Sequence, residues 1–174
     1  MQNEKSKIII DKLQFGEVNE FFQVFSQIIS NDFPGYSKAV IDYFLTQVYT
    51  INNFQQWLLT GWKIVLLAKQ EALIVGFAVL DRPYGGVCFC RWVGVLPEYR
   101  KKGIGRELMR EWEEFGRECG CHKLEVAGQP TAKKFYQKAG LKLEGKRKLS
   151  YFGIDQFIFG KVIGEPKDEV MAKD

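Results

Sequence analysis

The segment Val93-Gly-Val-Leu-Pro-Glu-Tyr-Arg-Lys-Lys-Gly-Ile-Gly-Arg106 carries the chain from a strand, through a turn, into a helix. Val93 and Val95 are β-branched and read as strand, Pro97 ends it, and a basic turn punctuated by Gly103 and Gly105 opens onto an amphipathic helix over residues 105–119. Lacking a Cβ, the two glycines let the backbone approach whatever lies above the turn. The first N–H groups of the helix have no partner within it, and the helix dipole adds partial positive charge there. Arg100, Lys101, Lys102 and Arg106 bring full charges to the same corner. Such a place suits a phosphate or pyrophosphate. The alternative is a basic, solvated connection that holds nothing. Two other phosphate signatures do not fit. Gly105-Arg106-Glu107 lacks the Gly-Lys-Ser/Thr ending of a P-loop, and Leu108 stands where a dinucleotide fingerprint requires its third glycine.

At 174 residues the chain fits one domain, expected over 1–164 with a charged, apolar-poor and disordered tail over 165–174. A hydrophobic fraction of 46% and a charged fraction of 26% are those of a soluble globular protein. No apolar run approaches the ~20 residues of a membrane span. The polar opening Met1-Gln-Asn-Glu-Lys-Ser-Lys7 leads into a short β-branched run rather than a signal-peptide core, so a cytoplasmic location with no membrane partner is expected. The net charge of +4 forms no tail or stripe that would indicate nucleic acid, and an anionic ligand accounts more simply for the patch at 100–102. Cys88-Phe-Cys90 and Cys119-Gly-Cys121 read as reduced, apolar core residues, because a two-residue spacer is the stronger zinc signature. No metal is expected, and a disulfide is the minor alternative.

Around this segment the chain alternates in texture. A short strand at 8–10 is followed by helical periodicity over 17–30, with Val18, Phe21, Phe22, Phe25, Ile28 and Ile29 on its apolar face. A second helical stretch over 38–59 is interrupted around Thr50–Asn53, with Ser37 as its N-cap. Apolar runs at 62–68 and 73–80 read as an antiparallel pair, 87–95 and 123–127 as strands, Pro130–Ala139 as a short helix, and 141–162 as a hairpin turning near Gly153–Asp155. Glu107, Glu111, Glu114 and Glu118 line a solvent-facing helix surface. The order predicts an α/β (α+β mixed) fold. A single central mixed, mostly antiparallel sheet has helices on both faces, and the unit 87–127 is parallel.

Arg100-x-x-Gly103-x-Gly105 after a Val-x-Val strand resembles the acyl-coenzyme-A-binding motif of the GNAT superfamily of acetyltransferases. Lys123-Leu-Glu-Val126 resembles the family's following strand. Gln129-x-x-Ala132-x-x-Phe135-Tyr136-x-Lys138-x-Gly140 resembles its Asn-x-x-Ala-x-x-Leu/Phe-Tyr-x-Lys-x-Gly-Phe helix, with Gln129 for Asn and Leu141 for the final Phe. The likeness spans about residues 62–162 and implies the GNAT fold and acetyl-CoA as cosubstrate. It further implies an N-acetyltransferase that moves the acetyl group directly to a primary amine of a small molecule, peptide or protein. The alternative is an acyl-CoA-binding module without turnover.

In that frame the amides of Lys101, Lys102, Gly103, Ile104, Gly105 and Arg106 grip the pyrophosphate, and the edge Val93–Gly94–Val95 pairs with the pantetheine arm. Gly94 marks a bulge, a close backbone approach, or packing against a neighbouring helix. The Val95 N–H is the expected oxyanion donor. Gln129 contributes an amide beside the cofactor, and the family's matching phenol, here Tyr136, protonates the departing sulfur. Glu125 is the candidate base, provided that strand alternation turns it toward the cleft. Phe33, Tyr36, Tyr43 and Tyr151 are candidates for an aromatic acceptor pocket. Monomer and homodimer both remain open.

Overall fold

The runs at Lys63–Gln70 (β2) and Leu73–Asp81 (β3) lie inside the sheet, and their middle residues, Val65–Ala68 and Ile74–Leu80, are buried on both faces, which requires an unbroken apolar stretch. The computed structural model describes residues 7–172, and the Met1–Ser6 opening and the last two residues lie outside the described residues. The other strands are Ile8–Lys12 (β1), Val87–Val95 (β4), Lys123–Gly128 (β5), Lys142–Arg147 (β6) and Gln156–Val162 (β7). They form one sheet in the order β1-β2-β3-β4-β5-β7-β6, antiparallel throughout except for β4 against β5. This is the expected mixed sheet with a single parallel step.

Period-two alternation divides β2 between two cores. Val65 and Leu67 face the helices α1 (Val18–Asp32) and α3 (Ile51–Thr60), packing with Phe21, Phe25 and Phe54. Leu66 and Ala68 face α4 (Ile104–Glu118), whose stripe Ile104, Leu108 and Trp112 is fully buried. The opposite face of α4 carries the expected exposed charges, with Arg110 paired to Glu107, Glu111 and Glu114. The second helical stretch divides as expected. Lys38–Tyr43 (α2) widens into a π turn at Phe44–Val48, and Thr50 caps α3 by accepting from Asn53 N at 3.1 Å. Ser37 caps α2 by accepting from Val40 N. After β5, Lys133–Lys138 (α5) follows a tight turn at Pro130–Ala132. A short helix lies within the C-terminal tail. Asp168–Met171 (α6) packs back on the domain, so that a Cβ on Gly120 would meet Val170 Cγ2 at 2.9 Å.

The site is created where β4 leaves β5. Their pairing runs only from Val87/Lys123 to Cys90/Val126. At that level the register of β4 against β3 slips by one, with Val79 opposite Trp92 but Leu80 opposite Cys90, so Arg91 is the extra residue. Such a bulge bends and twists its strand, and beyond it β4 and β5 diverge into a cleft at their C-terminal ends. Gly94 itself is in regular register with Phe77. Its reason is close approach, since a Cβ there would lie 2.6 Å from Ile28 Cγ2 of α1. Gly94→Ala is therefore expected to destabilise the fold by about 1–3 kcal/mol through overpacking. Urea unfolding of the variant measures this, and Gly94→Ala should cost less in an Ile28→Ala background, where the opposing Cγ2 is gone.

Candidate functional site

A single cleft of about 1770 Å³ runs along the diverging edge of β4, over the start of α4 and α5, and into a ring-lined recess beneath α1 and α2. Leu96 N donates to Val75 O, which fixes the ladder alternation, so that Gly94 faces β3 while Val93 and Val95 turn their N–H and C=O groups into the cleft. The Val95 carbonyl accepts from Arg100 Nε at 2.9 Å, and the Arg100 guanidinium also binds the Asp32 carboxylate at the end of α1. Arg100 is thus committed to clamping the turn to α1 rather than presenting a bare cation.

The turn that follows is shaped for an anion. Lys101 (φ 62°) and Gly103 (φ 89°) both take left-handed conformations, and no side chain caps the start of α4. The amides of Ile104, Gly105 and Arg106 are left without intrahelical partners, and all three residues line the cleft. Gly105 fits because α5 crosses directly above it, where a Cβ would lie 2.8 Å from Phe135 Cε2. Lys102 Nζ lies 4.9 Å from the Tyr99 ring centroid. Counting Lys7, Arg91, Lys134 and Lys138 with the four basic residues of the turn, eight cationic side chains line the cleft. Among the described residues Asp32 is its one carboxylate. This donor set and charge fit the diphosphate and amide-bearing arm of coenzyme A: open helix-terminal amides, an unpaired strand edge and surrounding cations.

Tyr136 sits on α5 between Phe135 and Phe159, with ring centroids at 5.2 and 5.1 Å, and lines the cleft while only 5% exposed. One edge of its ring lies against Gly128, where a Cβ would come within 2.6 Å of Cε2. Burial, with the nearby Cys90 thiol adding to it, pushes the phenol well above its ordinary value, so it stays protonated. Gln129 also lines the cleft, and its Oε1 accepts from Gly35 N at 3.3 Å in the α1–α2 connection.

Glu125 is not brought to the site. Leu124 and Val126 point into the α4 core, and Glu125 shares the other face with Lys123, whose Nζ is 3.6 Å away. Ala127, two residues on, is the member of that face that reaches the cleft. Of the aromatic candidates, Phe33, Tyr36 and Tyr151 line the recess, whereas Tyr43 stacks outside it on Phe44 and Phe152. Sequence reasoning missed Phe44, Tyr49, Trp92, Phe152, Asp32 and Gln156, all of which line it. Trp92 adjoins the Val93–Val95 edge, which was a usable signal. Nothing local marked the others.

The cysteines are free and, apart from the half-buried Cys119, buried. No group of three or more metal-ligating side chains forms among the described residues. No described helix is long and apolar enough to cross a membrane. Burial raises the thiols of Cys88 to about 12 and Cys121 to about 11, and the Tyr36 phenol to about 12, from ordinary values of 9.0 and 10.0. Raised folded values mean that the unfolded chain loses its protons first as pH rises. The stability these groups contribute is therefore complete below about pH 8.5 and is lost progressively toward pH 12. Urea midpoints are expected to hold between roughly pH 7 and 8.5 and then fall steadily.

The model of the acetyltransferase (GNAT) family matches residues 24–141, well over half of the chain. An uncharacterized N-acetyltransferase of Archaeoglobus fulgidus is 31% identical over 115 residues, covering 60% of this chain and 78% of that protein. The fold is similar to that of the PaiA N-acetyltransferase of Thermoplasma acidophilum, solved in complex with coenzyme A. The TM-score there is 0.78 at 21% identity, covering 90% of this chain and 99% of the other. It is also similar to YncA of Salmonella typhimurium with its cofactor acetyl-CoA (TM-score 0.72, 17% identity, 92% and 98% covered). A third likeness is to a ribosomal-protein-alanine N-acetyltransferase of Brucella melitensis (TM-score 0.70, 22% identity, 88% and 99% covered). With the splayed β4–β5 pair, the uncapped basic turn and the matched sequence all in one place, the chain belongs to the GNAT family of acetyltransferases, and it is an acyltransferase enzyme.

Proposed function

We propose that this protein transfers the acetyl group of acetyl-CoA directly to a primary amine of a small molecule, peptide or protein. The observation that carries the reading is the meeting of three features in one cleft: an unpaired strand edge, uncapped helix amides among cations, and a buried, protonated phenol. Val93 and Val95 hold the extended arm of the cosubstrate by strand-like hydrogen bonds, and the amides of Lys101 through Arg106 hold its diphosphate. The Val95 N–H is a fixed dipole that favours negative charge on the thioester oxygen as the amine attacks. Tyr136, which burial keeps protonated, gives its proton to the departing sulfur.

Direct attack suits the side chains present. Cys88 and Cys90 are buried in the α4 core with thiols raised by burial, so neither is poised as an acyl-carrying nucleophile. Calorimetric titration with acetyl-CoA, followed by thiol release with a panel of amines, tests the proposal. Binding that falls with added salt and amine-dependent thiol release are expected. Thiol release that no amine accelerates would exclude transfer.

A further inference from the structure

Beyond Tyr136 the cleft ends in a recess built around the Trp92 ring, whose centroid lies 5.0 Å from Phe33, 5.6 Å from Phe44 and 5.6 Å from Tyr49. Phe152 closes the far side, 4.7 Å from Phe44. Two amides stand at the entrance. Gln129 follows β5 and Gln156 begins β7, and the pairing Gly128 with Phe157 makes them cross-strand neighbours. Gln156 is only 8% exposed, yet its Oε1 has no hydrogen-bond partner. The Oε1 of Gln129 is taken by Gly35 N, which leaves Nε2 as a donor, also buried and unpartnered. Buried polar atoms left unpaired cost stability, so one unmet donor beside one unmet acceptor calls for a function. A group offering both a C=O and an N–H would satisfy the two together.

Charge and acidity narrow the choice. Asp32, the one carboxylate that lines the cleft among the described residues, is itself bound by Arg100, so the cleft offers no free anion to an acceptor carrying several positive charges. A lysine-type amine with pKa near ~10.4 arrives protonated and needs a base, and Asp32 is already paired. An α-amino group near ~7.7–8.0 arrives substantially neutral at physiological pH. Resting on the transferase reading above, we infer that the acceptor is the α-amino group of a peptide or amino-acid amide. Its first side chain, aromatic or apolar, enters the ring recess, and its first amide is read by Gln129 and Gln156.

The test compares acetyl transfer to phenylalaninamide, phenethylamine and spermidine over a pH series. At about pH 7.5 the kcat/KM for phenylalaninamide is expected to exceed that for phenethylamine on the order of 10²-fold, levelling off above about pH 8, with spermidine poorer still. Gln156→Leu should shrink that ratio about tenfold or more without lowering Tm, because it removes a buried unpaired acceptor. Phenethylamine or spermidine matching phenylalaninamide, or a ratio untouched in Gln156→Leu, would overturn the acceptor assignment and leave the transferase reading standing. Failure to bind acetyl-CoA would instead overturn the transferase reading itself.

Discussion

Tyr136→Phe is expected to lower kcat by roughly 10²–10⁴-fold while leaving KM for acetyl-CoA nearly unchanged, the range general acid catalysis supplies. The substitution removes one hydroxyl and keeps the ring, which holds its place through Phe135, Phe159 and the bare face of Gly128. Folding is therefore preserved, and the loss reads the proton alone. Gly128→Ala makes the complementary experiment. The phenol is retained, but the new methyl would occupy the place of the ring edge, 2.6 Å from Cε2, so the hydroxyl must move. A displacement of about 1 Å at a reacting group is enough to cost on the order of 10²-fold. If steady-state kinetics give Tyr136→Phe a normal kcat, another group protonates the sulfur and the assignment is wrong. If Tyr136→Phe is impaired but Gly128→Ala is not, the proton is delivered from a position the ring can leave.

The parts of this site that lie within one run of sequence were legible, and the parts assembled across the chain were not. The uncapped turn at 100–106, the strand before it and the phenol on α5 are each specified by neighbours a few residues away, through glycine, charge and helical spacing. Trp92 shows where local reading stops. In an unbroken strand it would share a face with Cys88 and Cys90, but the extra residue at Arg91 rotates it from the α4 side to the α1 side. No residue type in Cys90-Arg91-Trp92 announces that bulge. Gln129 is similar: the sequence offered an amide beside the cofactor, yet its oxygen is held by Gly35, 94 positions earlier. Alternation alone decides Glu125. Once Leu124 and Val126 are fixed in the core, Glu125 must face away from it, and the cleft is reached only at Ala127. In the tail, Val170 and Met171 lie beside the left-handed glycines Gly120 and Gly86, a proximity that sequence separation conceals.

Gly105→Val is expected to weaken acetyl-CoA binding by about 10²-fold or more, with Phe135→Ala in the same chain recovering much of the loss. The Cβ it introduces would lie 2.8 Å from Phe135 Cε2 and 3.3 Å from Cζ, so either the first turn of α4 shifts or the ring swings away. A shifted turn misaims the amides of Ile104, Gly105 and Arg106, and each hydrogen bond from such a donor to a charged group is worth about 1.5–3 kcal/mol. Losing one or two of them accounts for the expected change. A ring that swings instead carries the disturbance to Tyr136, 5.2 Å away, and kcat falls with little change in affinity. The double variant separates these routes, since removing the Phe135 ring makes room for the new side chain without moving the turn. Salt provides an independent measure. The part of binding due to Lys101, Lys102 and Arg106 weakens as ionic strength rises, whereas misaimed amides cost affinity at every salt concentration. Parallel binding curves for wild type and Gly105→Val, offset at all salt concentrations, are the expected pattern. Coincident curves with a lowered kcat would mean that the Phe135 ring has swung and the turn has not; coincident curves with kcat unchanged would mean that the diphosphate is held somewhere other than the start of α4.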